Sequence, residues 1–234
     1  MTTADYRDYG FSSDQPSHMH RHFMPVVLAL AGTVGTGTRV PVVLALAGTV
    51  GTGTRVLDVG CGNGAALQAF AQAGCTVVGV DLSAKGVAIA RQGVPTGRFE
   101  VLPADGCLLQ NLAERPFDIV ISTEVIEHLY APRAYARGCF DAVRPGGRFI
   151  CTTPYHGYLK NLALSVAGHW DAHADPLWDG GHIKLWSRRT LARLLSETGF
   201  SNLQFRGVGR LPWLWMTMVI AGDKPSESSS KRDH

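Results

Sequence analysis

From Arg55 onward, short apolar runs alternate with stretches of helical spacing: RVLDVG, AALQAFAQAG, TVVGVD, SAKGVAIARQG, RFEVL, a short helix, then FDIVIS. Such runs suit buried strands, and the amphipathic stretches between them suit helices laid on the sheet. The alternation predicts an α/β fold with a doubly wound, mostly parallel sheet. A helix follows in PRAYARGCFDAV, where Pro132 fits the first turn. Next come a turn at RPGG, a strand RFICTT, and a helix from Ser187 as N-cap to Gly199 as the glycine past its end. FSNLQFRGVG and WLWMTMVIAG follow one another with no helix between them, which predicts a C-terminal antiparallel hairpin. The polar tail DKPSESSSKRDH, residues 223–234, is too poor in apolar residues to fold and leaves 1–222 as a single domain.

Two segments depart from this rhythm. The sixteen residues Pro25–Val40 recur without change as Pro41–Val56, and the second copy runs directly into LDVGCGNG. Pro41 stops the first copy from entering a central strand in the same way, because it lacks the N–H that strand must donate. Two units do not build a solenoid. The 25–56 segment therefore reads as a tandem duplication without a function of its own, its surplus expected to bulge ahead of the first strand. The second departure is PYHGYLKNLALSVAGHWDAHADPLWDGGHIKLW, residues 154–186, a long aromatic excursion after the carboxyl end of a central strand. Open α/β sheets bind their ligands at that edge, so a substrate-covering insertion is expected here.

The 234 residues carry 22 basic and 19 acidic side chains, a net charge of +3 with no basic stripe. That balance argues against nucleic acid as a partner. The five cysteines are scattered without a CxxC pair, as in reduced thiols of a cytoplasmic protein. No apolar run is long enough to span a membrane, although the aromatic insertion suits peripheral contact with one. Oligomeric state is not legible.

The string Asp58-Val59-Gly60-Cys61-Gly62-Asn63-Gly64 closes the strand RVLDV and opens the helix AALQAF. Glycines permit the tight turn and close ligand approach, and a helix N-terminus offers unpaired N–H groups. Asp81 ends the next strand, where a carboxylate accepts ribose hydroxyls. A nicotinamide dinucleotide and S-adenosylmethionine both suit this pair of features. Asp58 favours the second, because it would repel a pyrophosphate and attract the cationic amino-acid end of S-adenosylmethionine. D-x-G-x-G-x-G resembles motif I of the class I methyltransferases, and the resemblance extends from Arg55 to about Asp223. It implies a Rossmann-like fold of that type and S-adenosylmethionine as cofactor. The implied cofactor residues are Asp58, Gly60, Cys61, Gly62, Gly64, Asp81, Leu82, Ala104, Asp105 and Glu124.

Downstream, Glu124-Val125-Ile126-Glu127-His128 follows the fourth strand. If a helix starts after Ser122, Glu124 shares a face with Glu127 and His128, a set able to bind a divalent cation. A plain helix start, with acids in the first turn and His128 packed, fits the local chemistry equally well. E-V-I-E-H resembles the ExxEH motif of quinone-pathway O-methyltransferases of the UbiG type and of small-RNA 2′-O-methyltransferases. The resemblance implies metal ligation by Glu124, Glu127 and His128. His182, in His182-Ile183-Lys184-Leu185-Trp186-Ser187-Arg188, matches a further histidine of the RNA enzymes. The implied reaction is methyl transfer to a hydroxyl of a small, quinone-like or catechol acceptor with Mg2+ or Mn2+ assisting. Without a metal, His128 or His182 serves as general base. RNA 2′-O-methylation, nitrogen or carbon acceptors, and an inert S-adenosylmethionine-binding module are the alternatives.

Overall fold

The computed structural model describes residues 33–34, 49–174, 177–178, 180–209 and 211–226. Two dipeptides come first, β1 (Thr33–Val34) and β2 (Thr49–Val50). They are the corresponding residues of the two sequence copies, paired in parallel as Thr33 with Thr49 and Val34 with Val50. The rest of the first copy, where the bulge is expected, lies outside the described residues.

The main sheet is built from β3 (Arg55–Val59), β4 (Thr76–Asp81), β5 (Arg98–Val101), β6 (Phe117–Thr123), β7 (Val143–Pro154), β8 (Ser201–Val208) and β9 (Thr217–Asp223). Its order is β5-β4-β3-β6-β7-β9-β8. All neighbours are parallel except β9, which runs antiparallel to both β7 and β8. The fold is thus the mostly parallel α/β sheet with a C-terminal antiparallel hairpin that the sequence predicts.

Seven helices accompany the sheet in the described residues: α1 (Ala65–Gln72), α2 (Ala84–Gly93), α3 (Leu108–Leu112), α4 (Pro132–Ala142), α5 (Tyr158–Val166), α6 (Trp170–Ala174) and α7 (Arg188–Thr198). Alternation along the strands gives the sheet two apolar faces. Leu57, Val59, Val78 and Val80 pack with Tyr135 of α4 and Leu191 and Leu195 of α7. On the other face, Val56 and Val77 pack with Leu67 and Phe70 of α1 and Val87 of α2. Residues buried on either side explain why β3 and β4 read as nearly continuous apolar runs.

Three expected boundaries move. RPGG is not a separate turn but an irregularity inside β7, where Gly146 adopts φ +73° and the register with β6 shifts. In WLWMTMVIAG the strand begins only at Thr217. Order also extends past the expected start of the tail. Asp223 ends β9 and meets Arg148 Nε at 2.7 Å, and Lys224 Nζ donates to the carbonyls of Phe140 and Val143, each at 2.8 Å.

The caps fall where predicted. Pro132 occupies the first turn of α4, and Gly199 closes α7 at φ +117°. The Ser187 hydroxyl accepts from Thr190 N–H at 3.2 Å while the Thr190 hydroxyl accepts from Ser187 N–H at 3.0 Å, a reciprocal cap. Ser187→Ala should therefore lower stability by about 1 kcal/mol, which a thermal melt should register as a fall of about 2–4 °C. An unchanged midpoint would show that the cap carries no weight in the fold.

Candidate active site

The carboxyl ends of β3, β4, β5 and β6 share one edge of the sheet, and the polar residues singled out in the sequence gather there. After β3 the chain turns through Gly60 at φ +83°, Gly62 at +51° and Gly64 at +78° before entering α1. The turn is pinned to the neighbouring strand: Gly60 and Cys61 N–H both donate to Val80 O, at 2.8 and 2.9 Å. A Cβ at Gly60 would collide with the Val125 side chain, so this glycine also lets the segment after β6 pack against the loop. At Gly64 a Cβ would lie 2.8 Å from that of Ala90, and the small residues let α1 and α2 approach closely.

Asp58 sits at the base of this turn, fully buried, and neither carboxylate oxygen has a hydrogen-bond partner. Burial pushes its pKa well above the usual carboxylate range, and the nearby charge of Asp81 adds to the effect. Such a group is costly unless something cationic or donating meets it. Asp81 differs: its Oδ2 accepts from Gly62 N–H at 2.8 Å and its Oδ1 from Ser83 N–H at 2.7 Å. Asp81 therefore fastens the glycine loop to β4. Leu82 beside it is 37% exposed, facing the open edge with its apolar surface. Ala104 and Asp105 lie half-buried in the loop after β5, and Asp105 Oδ1 accepts from Cys107 N–H at 2.9 Å. Gly138 of α4 leaves room for the Asp105 carbonyl, where a Cβ would clash.

The segment after β6 is not the helix expected from Ser122. The strand runs to Thr123, Glu124 takes a left-handed conformation at φ +55°, and only a single 3-10 turn, Ile126–His128, follows. Glu124 stays beside Glu127, close enough for the two carboxyl groups to interact. Its backbone N–H donates to Thr152 O at 3.1 Å and its Oε1 accepts from the Thr152 hydroxyl at 2.9 Å. Burial raises its pKa to about 7, against the lowering effects of Thr152 and of the Lys160 charge. Glu127 is buried, with Oε2 accepting from the Thr153 hydroxyl at 2.9 Å and Oε1 without a partner. Burial lifts it well above the usual range, and Glu124 lifts it further.

His182 reaches the same place because the backbone of the 154–186 segment is tied to the turn: Ile183 and Lys184 N–H donate to Glu127 O at 2.9 and 3.0 Å. Glu127, His128 and His182 bring ligand atoms within 4.8 Å of one another, the candidate metal cluster found among the described residues. Glu124 adjoins Glu127 but is not one of these three. His128 Nδ1 lies 2.7 Å from Gly180 O. A carbonyl only accepts, so Nδ1 donates to it, and Nε2 faces Glu127 Oε1 at 4.0 Å. Burial, then the neighbouring His128, pushes His182 down to about 4, which leaves its ring neutral at pH 7. Donor chemistry and tautomer both fit a divalent cation.

Thr152, Thr153 and Lys160 escaped the sequence reading, whereas His156, with His169 and His173, stands out as a histidine of the insertion able to line an acceptor pocket. The signal for the threonines was present in CTTP, where two polar residues end an apolar strand that a sheet interior would keep apolar.

A glycine turn and two acids at the carboxyl edge of a doubly wound sheet define a site for a nucleoside-bearing ligand with a cationic end. Comparison with known proteins names the class. The family model described as "Methyltransferase domain" matches residues 22–205. Among curated relatives, the ubiquinone biosynthesis O-methyltransferase of Cereibacter sphaeroides is 30% identical over 68% of this chain and 66% of its own length. That of Thiobacillus denitrificans is 30% identical over 65% of this chain and 67% of its own. The chain thus spans about two thirds of the curated relatives it matches, 62% in the case of the Dinoroseobacter shibae enzyme. Among solved structures, the putative methyltransferase in complex with the Haloferax volcanii Trm112 methyltransferase activator superposes with a TM-score of 0.60 at 19% identity, covering 89% of this chain and 92% of that one. The Haemonchus contortus phosphoethanolamine N-methyltransferase 2 in complex with S-adenosyl-L-methionine gives 0.53 at 19% identity, covering 75% and 50%. The chain belongs to the class I S-adenosylmethionine-dependent methyltransferases. No helix among the described residues is long and apolar enough to cross a membrane.

The raised carboxyl groups make a testable prediction about the ligand-free protein. The folded chain keeps a proton on Asp58 that the unfolded chain releases above about pH 4, so this group's contribution to stability falls as pH rises from there. Asp58→Asn removes the slope. The variant should melt higher than the native chain at pH 7, by less at pH 5, and should show a smaller rise with S-adenosylhomocysteine. A variant that melts lower at pH 7 would contradict the unpartnered burial of Asp58.

Proposed function

We propose that this methyltransferase moves a methyl group from S-adenosylmethionine to a hydroxyl of a small, catechol- or quinol-like acceptor, with a divalent cation held by Glu127, His128 and His182. The observation that carries this reading is the convergence of an unpartnered buried carboxylate oxygen with two imidazole rings. The place of Glu127 and His128 shortly after β6, beside the Gly60 turn that Val125 packs against, supports a cation adjacent to the cofactor. The printed names of the curated relatives, ubiquinone biosynthesis O-methyltransferases, agree with a hydroxyl acceptor.

Asp58 receives the ammonium end of the cofactor, which supplies the partner its oxygens lack. The backbone from Gly60 to Gly64, with Cys61 and Gly62 between them, wraps the amino-acid portion. Asp81 accepts from ribose hydroxyls, Leu82 packs on the sugar and base, and Ala104 and Asp105 border the adenine. Glu124, hydrogen-bonded to Thr152, stands between the cofactor and the acceptor.

When bound, the cation supplies Lewis acidity that lowers the pKa of an acceptor hydroxyl and makes it a competent nucleophile at neutral pH. Two of its three protein donors are imidazole nitrogens, a set that favours Mn2+ over the oxygen-seeking Mg2+. Thr153 fixes the Glu127 carboxylate, and Gly180 fixes the His128 tautomer that presents Nε2. Where no cation binds, the same Nε2, or His182, accepts the hydroxyl proton. Residues 154–186 cover the acceptor. Tyr158, Leu159, Leu162 and Val166 of α5 are exposed and suit a lipid-like portion of it, or peripheral contact with a membrane surface.

Glu127→Ala tests the assignment. Turnover of a catechol acceptor should fall by about 100-fold or more, with S-adenosylhomocysteine affinity retained. Mn2+ should raise the melting point of the native chain but not of the variant. That rise should be larger at pH 8 than at pH 6, because the ligands must shed their protons to bind. Native turnover in the variant, or an equal response to Mn2+, would overturn the cation site.

A further inference from the structure

α5 is inverted. Its apolar side chains Tyr158, Leu159, Leu162 and Val166 face outward, while its buried residue is Lys160, 6% exposed. An amphipathic helix ordinarily does the opposite. Inward of α5 lies a second polar cluster, separate from the cation ligands. His156 is 5% exposed, and neither ring nitrogen makes a hydrogen bond. Asn161 adjoins it, and the buried Oδ1 of that side chain also lacks an aligned partner. The His173 ring completes the group, its centroid 5.3 Å from that of His156, with Trp170 5.9 Å beyond it.

The position of this cluster indicates its use. The charge of Lys160 acts on Glu124, on His156 and on His182, so the lysine adjoins both the cation cluster and the second one. His156 is also anchored through its backbone, its N–H donating to Trp186 O at 3.0 Å. Its ring is thus held rigidly at the floor of the 154–186 segment. A neutral imidazole offers one N–H donor and one bare nitrogen acceptor. If the donor turns to Asn161 Oδ1, the bare nitrogen remains and needs a donor from elsewhere. Buried polar groups are almost always satisfied, so the imidazole nitrogen left open beside Asn161 calls for a ligand that brings polar hydrogen.

We infer that His156 and Asn161 form an acceptor-recognition subsite that hydrogen-bonds a further hydroxyl of the acceptor, one beyond those that reach the cation cluster. This rests on the hydroxyl-methylation reading above and adds a substrate class to it: a polyhydroxylated ring in preference to a bare catechol. His156 is a positioning residue here, since the reacting oxygen lies at the other cluster. The inverted helix follows from the same arrangement, because α5 must turn its polar side to the acceptor and its apolar side outward.

The test compares catechol with pyrogallol, which differ by one hydroxyl. Binding is measured by calorimetry to the full chain saturated with S-adenosylhomocysteine and Mn2+. The native protein should bind pyrogallol about tenfold more tightly, the factor one buried hydrogen bond supplies. His156→Phe should bring the two affinities together, and Asn161→Leu should narrow the gap in the same direction. Retained binding of S-adenosylhomocysteine shows that each variant is folded. Equal affinities in the native protein overturn the subsite without reference to any variant, and so does a native preference that survives both substitutions. If the phenols bind with the expected preference but accept no methyl group, the hydroxyl-methylation reading fails and the subsite stands.

Discussion

Everything at the active edge turns on a buried carboxylate with nothing to bond to. Asp58 lies one residue from the end of β3, an interior strand with β4 on one side and β6 on the other, and neither neighbour offers it a donor. The glycine turn exists to bring a ligand to that point, and Asp81 spends two backbone hydrogen bonds holding the turn open. A site that leaves a charge unsatisfied in the absence of ligand trades stability for affinity. The same trade recurs at Glu127, where one oxygen is held by Thr153 and the other is left without a partner.

The second half of the site depends on the first through a single contact. Val125 packs where a Cβ on Gly60 would sit, so the glycine loop and the segment after β6 share a boundary. From there Glu127 reaches back by its carbonyl to Ile183 and Lys184, which carry His182 into place. Residues far apart in sequence are thus gathered by a strand end, a left-handed residue and one 3-10 turn. The outer wall is α5, whose polar side faces in, so the acceptor side of the protein is polar at its floor and apolar at its rim.

Much of this was legible beforehand. The strands from β3 to β7 are short apolar runs bounded by glycine and aspartate, and the hairpin shows in two such runs with no helix between them. The residues proposed for the cofactor each lie within a few positions of the carboxyl end of one of four strands, so local pattern suffices to place them at that edge. The metal set was legible only as a list. Helical spacing placed Glu124 beside Glu127 and His128, whereas the left-handed backbone at Glu124 bonds it to Thr152 while keeping it next to Glu127. Nothing in the residue itself announces that conformation, since a glutamate at positive φ is held there by tertiary contacts. Lys160 was hidden for a related reason: its burial reverses the usual preference of its residue type, and only the packed structure reveals it. The duplication was evident as a repeat, but which copy enters the sheet was settled by Pro41.

The central claim is that the unpartnered Asp58 carboxylate is the receptor for the cationic amino-acid end of the cofactor. The most direct measurement is calorimetric titration of the native chain with S-adenosylhomocysteine and with 5′-methylthioadenosine, which keeps the nucleoside and lacks the amino acid. The account predicts that S-adenosylhomocysteine binds about 100-fold more tightly, as loss of a charge-assisted bond to a buried group requires. Equal affinity for the two would contradict it.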